Sequence, residues 1–250
     1  FGCNCQIYVH AEVSAGRQLA MEKLNASVER ISGNYDESLQ VCIKQAEERG
    51  WSIISDTSYE GYTKYPAYVM AGYTVMAEEV RIQIQNRLRP THVFLQGGVG
   101  AFPAAICAYF WEKLANPDIK FVIVESELAA CLALSAKKGV RTSVDIEKET
   151  MMAGLSCGEP SLLGWKILNL AADDFITIDD SIIPEMMRLL ARNNPKIEAG
   201  ESSVAGLAAL SDAMKDQGVA GELGLDNESV VLLFGTEGAT DADIYHAIVG

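Results

Sequence analysis

The chain has 250 residues, 49% of them hydrophobic and 22% charged, with a formal net charge of −14. That length supplies an ample core for one large domain or two modest ones. The acidic balance argues against a nucleic-acid or anionic-membrane partner, since either needs a concentrated basic face. No uninterrupted apolar run reaches the ~20 residues that cross a bilayer, and nothing resembles a signal peptide. Six cysteines without close metal-type pairs fit a reducing cytoplasm. Cys3-Asn4-Cys5 has no second pair or histidine cluster to complete a zinc site, so no metal is expected.

In chain order, Phe1 is followed almost at once by an expected strand at 5–9, without a cap or lead-in, so the sequence reads as part of a longer protein. A helix is expected at 14–24, where Ser14 can cap it, then a strand at 27–31 and a helix at 36–49 closed by Arg49-Gly50. A third strand is expected at 51–55. The segment Asp56-Thr57-Ser58-Tyr59-Glu60-Gly61-Tyr62-Thr63 leads into a long helix at 65–87, and a domain boundary is expected near Gly61, dividing 1–61 from 62–250. Further strands are expected at 92–96, 120–125, 174–178 and 230–235, with helices at 101–115, 161–171, 184–192 and 203–217. Residues 137–149 and 193–200 read as surface connections. Continuous apolar strands alternating with amphipathic helices imply an α/β fold, with parallel sheet covered by helices on both faces.

The turn between the strand at 92–96 and the next helix is Gln96-Gly97-Gly98-Val99-Gly100. Glycines there let backbone N–H groups converge on an anion, and the helix N-terminus adds partial positive charge. The G-x-G-x-x-G of a dinucleotide site and the G-K-[ST] of a triphosphate loop are both missing at this turn. The loop therefore suits a single phosphate monoester, the alternative being a tight turn that merely uses glycine. The last strand runs into Gly235-Thr236-Glu237-Gly238. A hydroxyl delivered from the C-terminal end of a parallel strand faces the crevice where ligands bind. Opposite a pyridine nitrogen, Thr236 can hydrogen-bond without donating a full proton, which favours β-elimination or replacement over transamination. A threonine that caps a loop is the alternative.

Five segments in order carry a resemblance over essentially the whole chain. They are Gly33-Asn34-Tyr35-Asp36, the stretch from Asp56 to Pro66, Gln96 to Gly100, Met152 to Pro160 with Gly164-Trp165, and Gly235 to Asp241. Together they resemble the diaminopropionate ammonia-lyases, a branch of the pyridoxal-phosphate enzymes of tryptophan-synthase β-like fold (fold type II). The phosphate loop alone fits several related dehydratases. The Asp56-Thr57…Glu60-Gly61-Tyr62-Thr63-Lys64 and Cys157-Gly158-Glu159-Pro160…Gly164-Trp165 segments narrow it.

The resemblance implies a two-domain α/β enzyme, homodimeric, that uses pyridoxal 5′-phosphate to split 2,3-diaminopropionate into pyruvate and ammonia. It implies that Gly97, Gly98, Val99 and Gly100 hold the cofactor phosphate, that Gln96 beside them is a further cofactor-binding residue, and that Thr236 faces the pyridine. Asp56 is the candidate base at the α-carbon. A carboxylate there can equally anchor the substrate's second ammonium, or simply cap a helix. Glu159 is a candidate second contact to the cofactor and Tyr62 a candidate lining residue. Cys131 and Cys157 are a candidate redox pair, with independent buried thiols as the alternative.

The family's Schiff-base lysine lies early in the chain, in a Ser-x-Lys setting followed by an Asn/Gly/His loop. None of the eleven lysines occupies such a setting, so it is expected upstream of Phe1 and the polypeptide alone is expected to be inactive. The rival readings are a serine/threonine dehydratase or cysteine synthase relative, and a non-catalytic ligand-binding remnant.

Overall fold

The computed structural model describes residues 2–84, 88–114 and 118–250. β1 (Gln6–His10), α1 (Ala15–Glu22), β2 (Ser27–Ile31) and α2 (Tyr35–Arg49) form the first unit. β1 and β2 run parallel, with Gln6 opposite Ser27 and His10 opposite Ile31. Ser14 accepts from the Arg17 N–H at the start of α1. Asn34 and Glu37 form a capping box on α2, and Gly50 ends that helix in the left-handed conformation at φ 67°.

α3 (Lys64–Ile84) leads to the main sheet, which is parallel throughout in the order β5 (Asp174–Ile178), β4 (Lys120–Ser126), β3 (His92–Gln96), β6 (Val231–Leu233). Alternate strand residues feed opposite faces. Val93, Leu95, Phe121 and Ile123 pack with Ile106 and Phe110 of α4 (Ala101–Lys113) and Leu168 of α6 (Leu162–Ala171). Phe94, Val122 and Val124 pack with Met186 and Met187 of α7 (Ile183–Ala191) and with Ala205, Ala208 and Ala209 of α8 (Ala205–Ala213). Small residues let α8 lie close: a Cβ on Gly206 would stand 3.3 Å from the carbonyl oxygen of Phe94. The sheet is therefore helix-covered on both faces, and β3 is buried along its whole length.

Three expectations need correction. Residues 51–55 form no strand and pair with no strand among the described residues. Their polar backbone is instead served by Tyr62, whose hydroxyl accepts from Ser55 N–H at 3.1 Å and donates to the Ile53 carbonyl at 2.9 Å. The expected helix at 203–217 is split. A 3-10 turn at Ser202–Val204 precedes α8, and α9 (Gln217–Leu223) starts afresh where Asp216 caps the Gly218 and Val219 N–H groups. Two helices were not expected, α5 (Cys131–Lys138) and α10 (Ala242–Val249). The end of the helix expected at 65–87 lies outside the described residues.

Candidate active site

A cleft of about 850 Å³ opens between the first unit and the C-terminal edge of the main sheet. Its floor is the turn from β3 into α4. Gly98 and Gly100 have φ of 60° and 91°, in the left-handed region that side chains avoid. Gly97 is required for a different reason: a Cβ there would lie 2.6 Å from Cγ of Glu125, which is packed beneath the loop. Gly100 opens α4 without a side-chain cap. Ala101 and Phe102 thus present first-turn N–H groups to the cleft, and both residues line it. Backbone donors at a helix N-terminus suit a phosphate.

Two contacts hold this loop in place. Gly164 on α6 sits against it so closely that a Cβ would be 2.9 Å from the Gly100 carbonyl carbon. Ser161, just before α6, donates its N–H to the Val99 carbonyl at 2.8 Å. Its hydroxyl is 2.7 Å from that of Ser58 and accepts the Ser58 N–H at 3.0 Å. The segment after 51–55 is thereby stapled to the glycine loop, and Asp56, two residues before Ser58, joins the cleft wall. Burial raises the Asp56 carboxyl above its ordinary range, opposed in part by the N–H groups of Asp56 and Thr57. Tyr35, Tyr73 and Cys157 share this wall.

On the far side Thr236 follows β6. Gln96 Nε2 donates to Thr236 Oγ1 at 2.7 Å and to the Phe234 carbonyl at 3.0 Å. Because Thr236 accepts this bond, its own hydrogen is left free to donate into the cleft. Gln96 Oε1 is buried with no hydrogen-bond partner among the described residues. The expected loop residue Gln96 therefore serves, through its side chain, as the brace of Thr236.

The structure brings Asp56, Gln96, Gly97, Gly98, Val99, Thr236 and Cys157 to one cleft, whereas Gly100, the N-cap of α4, is not among its lining residues. It does not bring Tyr62 or Glu159 there. Tyr62 braces the 51–55 backbone and stacks on Tyr59 at 5.0 Å. Glu159 pairs with Arg141 at 2.9 Å, its side chain 45% exposed. Cys131 lies behind the loop, its thiol 3.7 Å from the Gly98 carbonyl and from Glu125 Oε1. Cys131 and Cys157 are both buried free thiols, and burial raises each of them first, with carboxylates around them adding to it. Among the described residues no lysine lines the cleft, and three or more metal-ligating side chains are nowhere clustered. Sequence reasoning missed Arg17, which lines the cleft and pairs with Glu201 and Glu237. An arginine on an amphipathic helix gives no local sign of such a role.

The profile of the family "Pyridoxal-phosphate dependent enzyme" matches residues 1–235. Diaminopropionate ammonia-lyase of Escherichia coli strain K12 is 36% identical over 255 residues, covering 99% of this chain and 64% of that protein. The protein of the same name from Salmonella typhimurium is 36% identical over 227 residues, covering 86% and 56%. A crystal structure of holo diaminopropionate ammonia lyase from Escherichia coli matches with a TM-score of 0.92 at 35% identity, covering 99% of this chain and 64% of that one. The chain thus spans just under two thirds of the length of the first of these relatives. With a family profile that runs from the first strand to the end of the last one, and a glycine loop and threonine on opposite walls of one cleft, the chain belongs to the pyridoxal-phosphate dependent enzymes.

Proposed function

We propose that this chain carries the cofactor cleft of an ammonia-lyase that converts 2,3-diaminopropionate to pyruvate and ammonia by α,β-elimination. The supporting observation is the pairing, across one cleft, of an uncapped glycine loop with a threonine whose hydroxyl hydrogen is left free. Relatives 36% identical over nearly the whole chain bear that enzyme's name. When bound, pyridoxal phosphate supplies the electron-withdrawing ring that acidifies the substrate Cα–H. The N–H groups of Gly98, Val99, Ala101 and Phe102 would hold its phosphate. Thr236, braced by Gln96, would donate to the pyridine nitrogen and leave it neutral.

Among the described residues, Asp56 is the one acid lining the cleft that is not tied to an arginine. Burial lifts its affinity for a proton, as a base requires. It either receives the α-proton on a carboxylate oxygen or holds the β-ammonium of the substrate, and the two roles separate by kinetics. As a base, Asp56→Asn in the protein expressed from the entire reading frame is expected to lower kcat by about 100-fold or more, read as pyruvate through a coupled dehydrogenase. As an anchor it would mainly raise KM. Activity on serine or threonine with none on diaminopropionate would replace this reading by the dehydratase one. The 250-residue chain alone is expected to form no pyruvate, because no lysine among the described residues lines its cleft.

We further propose the division into 1–61 and 62–250, a homodimeric assembly and a cytoplasmic location. No helix among the described residues is long and apolar enough to cross a membrane. The assembly is supported by Tyr68, Val75 and Ile82, three exposed apolar residues seven apart along α3.

A further inference from the structure

Arg17 stands at the beginning of α1, far in sequence from the two residues it grips. Its Nη2 lies 3.2 Å from Glu201 Oε2, just before α8, and 2.9 Å from Glu237 Oε1, just after β6. All three side chains are largely shielded, with 15%, 6% and 16% of their surface exposed. Two carboxylates brought this close in a shielded place repel unless a cation lies between them.

Glu237 is held on every side. Its other oxygen accepts the N–H of Ser202 at 3.0 Å and the hydroxyl of Ser202 at 2.5 Å. Its backbone N–H donates to Ser203 Oγ at 2.6 Å, and its carbonyl accepts the Gly200 N–H at 2.9 Å. The first turn of α1 also rests on the far end of the same segment. A Cβ on Gly16 would be 2.5 Å from Asp241 Cγ. Asp241 in turn caps α10 by accepting the Ile244 N–H at 3.1 Å. Residues 236–241 are thus clamped against α1 at both ends. Thr236 is the first residue of that stretch, held from the sheet side by Gln96.

We infer that Arg17 is a positioning residue for Thr236: through Glu237 it couples the seating of α1 on the cleft to the placement of the hydroxyl that faces the cofactor ring. This rests on the reading that the cleft binds pyridoxal phosphate. By linkage, a ligand that needs Thr236 in place tightens the docking of α1, and loosening α1 weakens the ligand by the same factor. Glu201 adds charge to the clamp without touching Thr236, so neutralising it should offset part of the loss of Arg17.

The probe is pyridoxamine 5′-phosphate, which has no carbonyl and forms no imine with any of the eleven lysines. Its fluorescence reports binding, and hydrogen–deuterium exchange reports mobility. In the wild-type chain the ligand is expected to slow exchange in both α1 and 235–241. Arg17→Met is expected to weaken binding about tenfold, to speed exchange at 235–241, and to regain part of both losses when combined with Glu201→Gln. Arg17→Lys should lie between. A folded Arg17→Met chain that loosens α1 alone, with wild-type affinity and wild-type exchange at 235–241, overturns the coupling. If Arg17→Met does not fold, Arg17→Lys decides: weaker binding with faster exchange at 235–241 supports the coupling, and wild-type values refute it. A wild-type chain that does not bind the probe refutes the cofactor reading instead, and exchange at 235–241 in the variants still decides the link.

Discussion

Glu125 shows how much of the site depends on residues that never reach the cleft. It is the penultimate residue of β4, has 1% of its surface exposed and fills the space that glycine at 97 leaves. Its two oxygens accept the Leu132 and Ala133 N–H groups at 2.9 and 2.7 Å, so it also starts α5. Burial outweighs those bonds and pushes its carboxyl up to about 7 from 4.5. A carboxyl raised on folding favours the folded state while protonated. Its contribution is fully present below about 4.5 and is lost as pH rises through about 7. The slope is at most about 1.4 kcal/mol per pH unit for one group. Glu125→Gln, of the same shape but unable to ionise, should flatten the fall of Tm across that window. Thermal melts of both proteins at several pH values check this, and an equal slope in the variant would show that Glu125 does not titrate there. The sequence marked the glycines of the loop because their backbone requirement is local. It also marked Thr236 by its place after a strand. It gave no sign of Glu125 beneath Gly97, or of Gln96 bracing Thr236, because both are contacts between chain segments remote in sequence.

At the scale of elements, α6 packs closely against the start of α4. Gly164 permits it, since a Cβ there would stand 2.9 Å from the Gly100 carbonyl carbon and 3.0 Å from its oxygen. Backbone cannot yield as a side-chain tip can. Gly164→Ala should therefore cost about 1–3 kcal/mol and push the glycine loop out of shape. Met187→Ala, in the core on the opposite face of the sheet, serves as a control of comparable stability loss. Pyridoxamine phosphate binding should weaken in Gly164→Ala and stay near wild type in Met187→Ala. Equal affinities in both would sink the idea that α6 sets the loop. Element type was legible wherever burial and local propensity agreed, as in β3 with α4. It failed at 51–55, where an apolar run signals burial or pairing but cannot say whether a partner strand is beside it. It failed again at α9, because one long helical pattern hid the fresh N-cap at Asp216.

For the whole molecule, strand–helix alternation gave the parallel sheet and its two covered faces correctly, since that pattern is a property of the entire chain. Assembly is a different matter, because one sequence read alone cannot say which exposed apolar residues face a second copy. The α3 helix leaves Tyr68 63%, Val75 60% and Ile82 47% exposed. A spacing of seven keeps them on one side of the helix, drifting by only ~20° per step. Apolar stripes of this kind favour burial against a partner. The opposing term is the charge of −14, whose mutual repulsion is screened beyond about 8 Å at physiological salt. The expected outcome is concentration-dependent dimerisation at that ionic strength, weakening as salt is removed. Val75→Glu places a charge in the middle of the stripe without touching the buried face of α3, and should shift the population to monomer while the melt remains cooperative. Sedimentation velocity at several concentrations measures both. If Val75→Glu sediments as the wild type does, α3 is not the face through which two copies meet.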